Sequence, residues 1–446
     1  MSPRGLCKMP QNILGGKSNF MKLFVPKLDI LVVILFFIAI SIIVVLTVPV
    51  TQADTIFTVD STLDVVDENP GNGDCATASG DCTLRAAIQE ANALSGDDTI
   101  ILPSGIYTLT IQGLSEDNAA TGDLDIKDDL IINGAGEENT IINANKVDRA
   151  LHITGSYSVS LSNLTIKNGH TRYTTTGGGI NNQGGSLTID TCAIIDNTAL
   201  GVGGGFYSTG ILNINNSTLS GNYGSTGGGL VNSGESSIVG CVIHSNDSQS
   251  SGGGIYNSGS MLIVNSSIVS NTAPYGFGGG IGNGSILTVT HSILVGNSAY
   301  GGGGISTSGG AVYFSNSIIG GNTDSNYGNL DCFGTVTSRG YNVIQSPSKC
   351  YVVGNPVGNV TGQNPNLGPL QDNGGPTWSL ALLSGSPAID AGSCQGVTLD
   401  QRGYARPFDA PDISNAVDGC DIGPYEYGAS ASVPPTLIYV PLVLKQ

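Results

Sequence analysis

Charge is what this 446-residue chain has least of: only 11% of its residues are Asp, Glu, Lys or Arg. Bases are scarcer than acids, 16 against 34, and none lies between residues 173 and 338. The formal net charge of −18 repels nucleic acid and anionic lipid, which excludes nucleic acid as a partner. A uronate lyase needs a base and a bound cation, commonly Arg or Lys beside carboxylate-held calcium. The middle of the chain has neither, and its acids are only Asp190, Asp196, Glu235, Asp247, Asp324 and Asp331. Aromatics make up 6%, with one tryptophan, Trp378. No Cys-x-x-Cys pair or Cys/His cluster is present, so the sequence offers no zinc site, and no catalytic or metal residue is assigned. Helical periodicity is missing from the body except at residues 83–93, where Leu84, Ala87, Ile88 and Ala91 share a face behind Thr83, a reasonable N-cap.

Glycine is abundant instead, at 66 residues. Between 177 and 322 a Gly-Gly-Gly triplet meets an apolar residue at Ile180, Phe206, Leu230, Ile255, Ile281 and Ile305. A second column with the same period of about 25 residues is Asn197, Asn222, Asn246, Asn271, Asn297 and Asn322. Within each unit, apolar residues alternate over four to six positions, which argues for strands. Units this short bury no face alone. Stacked at roughly 4.8 Å per coil they do. The expected fold is all-β, a parallel β-helix, right-handed by crossover chirality. The asparagines are then expected to form a ladder, each amide bonding its copies above and below. A column of small residues, Cys192, Ser217, Cys241, Ser266, Ser292 and Ser317, predicts a narrow corner. His291 stands where neighbouring coils have Asn265 and Asn316, a structural replacement.

Residues 1–53 are a basic leader with an apolar run at 30–48, near the minimum length for a bilayer span. The run reads as a cleaved signal, with Ala53 as the cleavage site and Met21 as a second candidate start, or as a retained anchor through residues 30–49. Either way the body is exported, and disulfides are permitted. The close pairs are Cys75 with Cys82, Cys332 with Cys350, and Cys394 with Cys420. Cys192 and Cys241, two coils or about 9.6 Å apart, are beyond disulfide reach.

The segment GDCTLRAAIQEAN (80–92) resembles the CSLREA segment that begins many bacterial surface β-helix proteins, with Ala86 where that family has Glu. Residues 98–107, DTIILPSGIY, are similar to the first coil of pectin-lyase-like helices, and the triplet and Asn columns resemble the repeats of polymorphic outer-membrane proteins. Near the end, NPNLGPL (364–370), GSPAID (385–390), DQRG (400–403) and CDIGPYE (420–426) look like a choice-of-anchor C-terminal domain. The chain therefore divides into a leader (1–53), an N-terminal cap (54–98), a β-helix (99–345), a capping domain that the resemblance makes anchor-associated (346–427), and a linker with an apolar tail (428–446). That tail is a last strand or a sorting signal.

The expected function is an exported, non-enzymatic surface protein in adhesion or structure, with surface glycans or other envelope components as partners. The alternative is a polysaccharide-active enzyme, lyase or glycosidase, since this fold class hosts both. Tyr223, Tyr275, Phe277, Tyr300 and Tyr327 fall in the loops after the Asn column and form a candidate glycan-contact edge. Asp123, Asp125, Asp128 and Asp129 are the densest acid cluster and offer oxygen ligands for calcium. Asp190 and Asp196 could pair as a hydrolase needs, but read as solvated turn residues.

Overall fold

The computed structural model describes residues 54–430, apart from Ser115, Tyr173, Thr174, Tyr327 and Asn329. The apolar run, Ala53, Tyr327 and the tail beyond residue 430 lie outside the described residues. Among those described, no helix is long and apolar enough to cross a membrane.

The body is a parallel β-solenoid. One coil shows its construction. Ile180–Gln183 is followed by Ser186–Asp190, Ala193–Ile195 and Thr198–Val202, four strands to the coil. Each pairs in parallel with its copy in the next coil, as Ile180 does with Phe206, Leu187 with Leu212, Ile194 with Leu219 and Thr198 with Tyr223. We call the stacks sheets I to IV in that order. Alternation sends Ile180, Leu187, Ile189 and Ile194 inward, all fully buried, and their neighbours outward. Each such side chain contributes about 1.5–3 kcal/mol by leaving water.

The corners are where the repeat residues act. Each glycine of a triplet has its own reason to lack a side chain. The first has positive φ, +66° at Gly177 and +68° at Gly252. A Cβ on the second, Gly253, would collide with the carbonyl oxygens of Thr272 and Gly279. One on the third, Gly254, would lie 2.8 Å from the Gly280 oxygen and against the Asn271 amide.

The asparagine column is a directional ladder. The backbone N–H and the Nδ2 of Asn222 both donate to Oδ1 of Asn246, at 3.0 and 2.9 Å. Asn246 does the same to Asn271, and so on to Asn322. Asn322 donates instead to Oδ1 of Asp331, at 3.2 and 3.0 Å. The second oxygen of Asp331 accepts from Ser346 N. Burial outweighs these bonds and pushes its carboxyl up to about 6. The folded chain therefore holds this proton more tightly than the unfolded one. The stabilisation is full below about pH 4 and is lost as pH rises through about 6, a change of about 3 kcal/mol. Asp331→Asn should abolish that component. Urea unfolding at pH 4 and pH 7 tests it: a wild-type-to-variant difference that is the same at both pH values would refute the assignment.

A second corner uses the small-residue column. Cys192 N donates to Ser217 Oγ at 3.0 Å, and Cys241 N to Ser266 Oγ at 3.1 Å. The residue before each is left-handed, with φ +47° at Asn265 and +46° at His291 and Asn316. The structure forms the disulfides Cys75–Cys82, Cys332–Cys350 and Cys394–Cys420, and leaves Cys192 and Cys241 free and buried.

Residues 364–427 do not simply close the end of the solenoid. They run back along its flank. Thr377 Oγ1 donates to Gly240 O, Gln401 Nε2 to Cys241 O, Asn265 Nδ2 to Leu399 O, and Ser393 N to Asn316 Oδ1. The cause is apolar. In the later coils the outer face of sheet III carries Val269, Ile293, Ile318 and Val343, and Leu380, Leu382, Ala388, Ile389 and Ile422 cover it. The end motifs converge in a buried ionic knot. Arg402 pairs with Asp400 at 2.6 Å and donates to Glu426 O, Arg406 lies 3.4 Å from Glu426, and Asp390 N donates to Asp421.

Candidate functional site

The helix α1, Leu84–Ala93, has Thr83 as its N-cap, with Oγ1 accepting from Ala86 N. Its apolar face packs into the core. Its polar face, Arg85, Gln89 and Asn92, holds one loop. Arg85 donates to the carbonyls of Ala119 and Gly122, Gln89 to Ala119 O and Asn92 to Asp125 O, while Arg85 also pairs with Asp64 at 2.5 Å. That loop delivers Asp117, Asp123 and Asp125 to the start of sheet I.

Along sheet I the outward position after each buried apolar residue stacks as Asp125, His152, Asn181 and Tyr207. Asp125 is buried. Its Oδ2 accepts from Ala119 N at 2.9 Å, and its Oδ1 lies 3.2 Å from His152 Nδ1. A carboxylate only accepts, so Nδ1 carries the proton and the other ring nitrogen of a neutral imidazole is an acceptor. That Nε2 is buried and unpartnered. Next to it Asn181 is 0% exposed, with neither amide atom partnered. Both line a cleft of about 550 Å³ with Arg149, Thr175, Thr176, Gln183, Tyr207 and Thr209. Arg149 lies 2.8 Å from Asp123 as an ion pair, off the direction of a hydrogen bond. Burial, opposed by Arg149, pushes the Asp123 carboxyl up to about 8.

The four aspartates considered for calcium do not converge. Asp123 faces Arg149, Asp125 faces His152, Asp129 accepts from Ser158 N, and Asp128 accepts from Asp129 N. Only Asp125 lies within the strand Leu124–Ile126; Asp123 precedes it, and Asp128 and Asp129 fall past its end, in the turn before Leu130–Gly134. The grouping that does form among the described residues is Asp117, Asp125 and His152. A second grouping, Cys394, Asp418 and Cys420, offers no thiolate because its sulfurs are bonded to each other.

The loop aromatics are partly gathered. Phe277 and Tyr300 meet edge to face at 6.0 Å, Phe333 joins at 5.9 Å, and Tyr275 stands 80% exposed on the same strand as Phe277. Tyr223 pairs in a coil further back, beside Asp247. Asp190 accepts from Asn216 Nδ2, and Asp196 holds a left-handed turn at φ +55°. His291 is tied to Ser393 O by Nε2, and burial pushes its imidazole down to about 3.

His152 and Asn181 escaped the sequence reading. The signal was there: each directly follows the apolar residue that opens a sheet I strand. The coils before residue 177 vary in length, Asp125 to His152 to Asn181 running 27 and then 29 residues, so the column was hidden.

No protein-family model and no curated protein matches the chain. Among solved structures, the crystal structure of pectate lyase Pel9A is similar at 16% identity and a TM-score of 0.42, over 84% of this chain and 97% of that one.

Proposed function

We propose that the chain is an exported, cell-surface β-solenoid acting as a rigid, non-catalytic rod in adhesion or as a structural spacer. One observation carries the reading. From residue 177 to 322 the coils are locked in register by the asparagine ladder, over a stretch with no Lys or Arg and few acids. Three disulfides support an oxidising compartment. The resemblance of both ends to CSLREA and choice-of-anchor surface proteins agrees with it. Contact with surface glycans falls to the exposed edge of Tyr275, Phe277 and Tyr300, where flat rings stack on sugar faces.

Tyr275→Ala with Tyr300→Ala should lower binding on a glycan array by about thirtyfold, because each stacked ring contributes about a kcal/mol, with little change in melting temperature. Unchanged binding would remove the aromatic edge from the reading. A polysaccharide-active enzyme is the second reading, favoured by the Asp125–His152 pair at the cleft. Release of reducing ends or of unsaturated uronate from a polysaccharide panel would replace the rod with that reading.

A further inference from the structure

The geometry points to the cleft over sheet I as a binding site for one neutral, hydroxyl-rich ring, a hexose unit of an uncharged glycan. The site is separate from the exposed aromatic edge, and the argument starts from Asn181. A fully buried side-chain amide whose donor and acceptor are both unmet costs about 1–3 kcal/mol per group. Nothing in the repeat requires it. The adjacent residue, Asn182, serves the stack by donating to Ser208 Oγ and Gly185 O. The outward position of Asn181 holds Tyr207, Val231 and Tyr256 in later coils. His152 Nε2 beside it is a second unmet acceptor.

A donor and two acceptors on one wall match vicinal hydroxyls, each of which both gives and takes a hydrogen bond. Tyr207, half-buried on the same wall, offers a ring face. The lining carries little charge for an ionic sugar to use. No carboxylate lines the cleft, and its one cation, Arg149, already faces Asp123 at 2.8 Å and donates to Thr176 O. The volume of about 550 Å³ admits a short oligosaccharide and not a folded partner.

Saturation-transfer NMR and calorimetry on the full chain test this with cellotriose, mannotriose and galactotriose, using trigalacturonate as the charged control. At least one neutral trisaccharide should bind. Asn181→Leu should weaken it by about tenfold or more while leaving the melting temperature unchanged or raised, because it removes an unmet amide. Thr209→Trp, at the exposed rim, blocks the cleft without touching the core and should do the same. Tyr275→Ala with Tyr300→Ala should leave this binding intact, which separates it from the adhesive edge. Silence from all three neutral sugars overturns the proposal. So does binding indifferent to both cleft variants, and so does trigalacturonate binding as tightly as the neutral sugars.

Discussion

Gly253→Ala is expected to prevent the solenoid from forming as a cooperative unit, with a loss above about 4 kcal/mol. The added methyl would sit well under 3.0 Å from two backbone oxygens, Thr272 O and Gly279 O. Those oxygens belong to strands and corners held on both sides by the stack, so they cannot yield as a flexible side chain would. Relief requires adjacent coils to separate, which breaks pairing in sheets I and IV together. Gly284→Ala is the control. Its Cβ would meet nothing nearer than 3.6 Å, and its φ is not in the left-handed region. The control should change stability by less than about 1 kcal/mol. Thermal melts by circular dichroism give the comparison, and a Gly253→Ala protein melting within a few degrees of wild type would contradict the close-approach account.

Asn246→Ala is the second large effect, at about 3–5 kcal/mol. Asn246 is buried, and its Oδ1 accepts two bonds from Asn222 while its Nδ2 donates to Leu219 O and Asn271 Oδ1. Truncation strands the Asn222 N–H and amide at about 1–3 kcal/mol each, in a place water does not reach. The more informative change is Asn246→Asp. A carboxylate accepts and cannot donate, so it satisfies Asn222 but turns lone pairs against Asn271 Oδ1 and Leu219 O. It should destabilise as much as alanine or more at pH 7, and less near pH 4, where a proton restores one donor. The chain itself obeys this rule: the ladder ends at Asp331, where an acceptor is the last thing required. If Asn246→Asp unfolds at the wild-type urea midpoint, the ladder is not the clamp that its geometry implies.

The repeat residues could be read from the sequence because they obey a local rule. A triplet or an asparagine recurs wherever the same corner recurs, so its meaning is copied six times. Asp331 could not be read that way. It lies nine residues after Asn322 rather than about 25, so it belongs to no column of the repeat, yet its carboxylate is what the last asparagine meets. The flank-covering path of residues 364–427 had a readable sign. Sheet III shows Thr165, Ile166, Lys167 and Thr218, Leu219, Ser220 early on, on either side of an apolar Ala193, Ile194, Ile195, but Ile293, Leu294, Val295 and Ile318, Ile319 in succession later. Outward positions turning apolar mean that something covers them. The sign says a cover exists and not which segment provides it.

Periodicity by itself determined that this protein is a stack of parallel coils with an aliphatic interior, because a period in sequence becomes a period in space whenever each unit buries its face on the next. It determined the ladder columns for the same reason. The tertiary structure alone decided that Asp125, His152 and Asn181 share a wall. They lie in coils of unequal length, and inter-strand register, rather than distance along the chain, sets which side chains are neighbours.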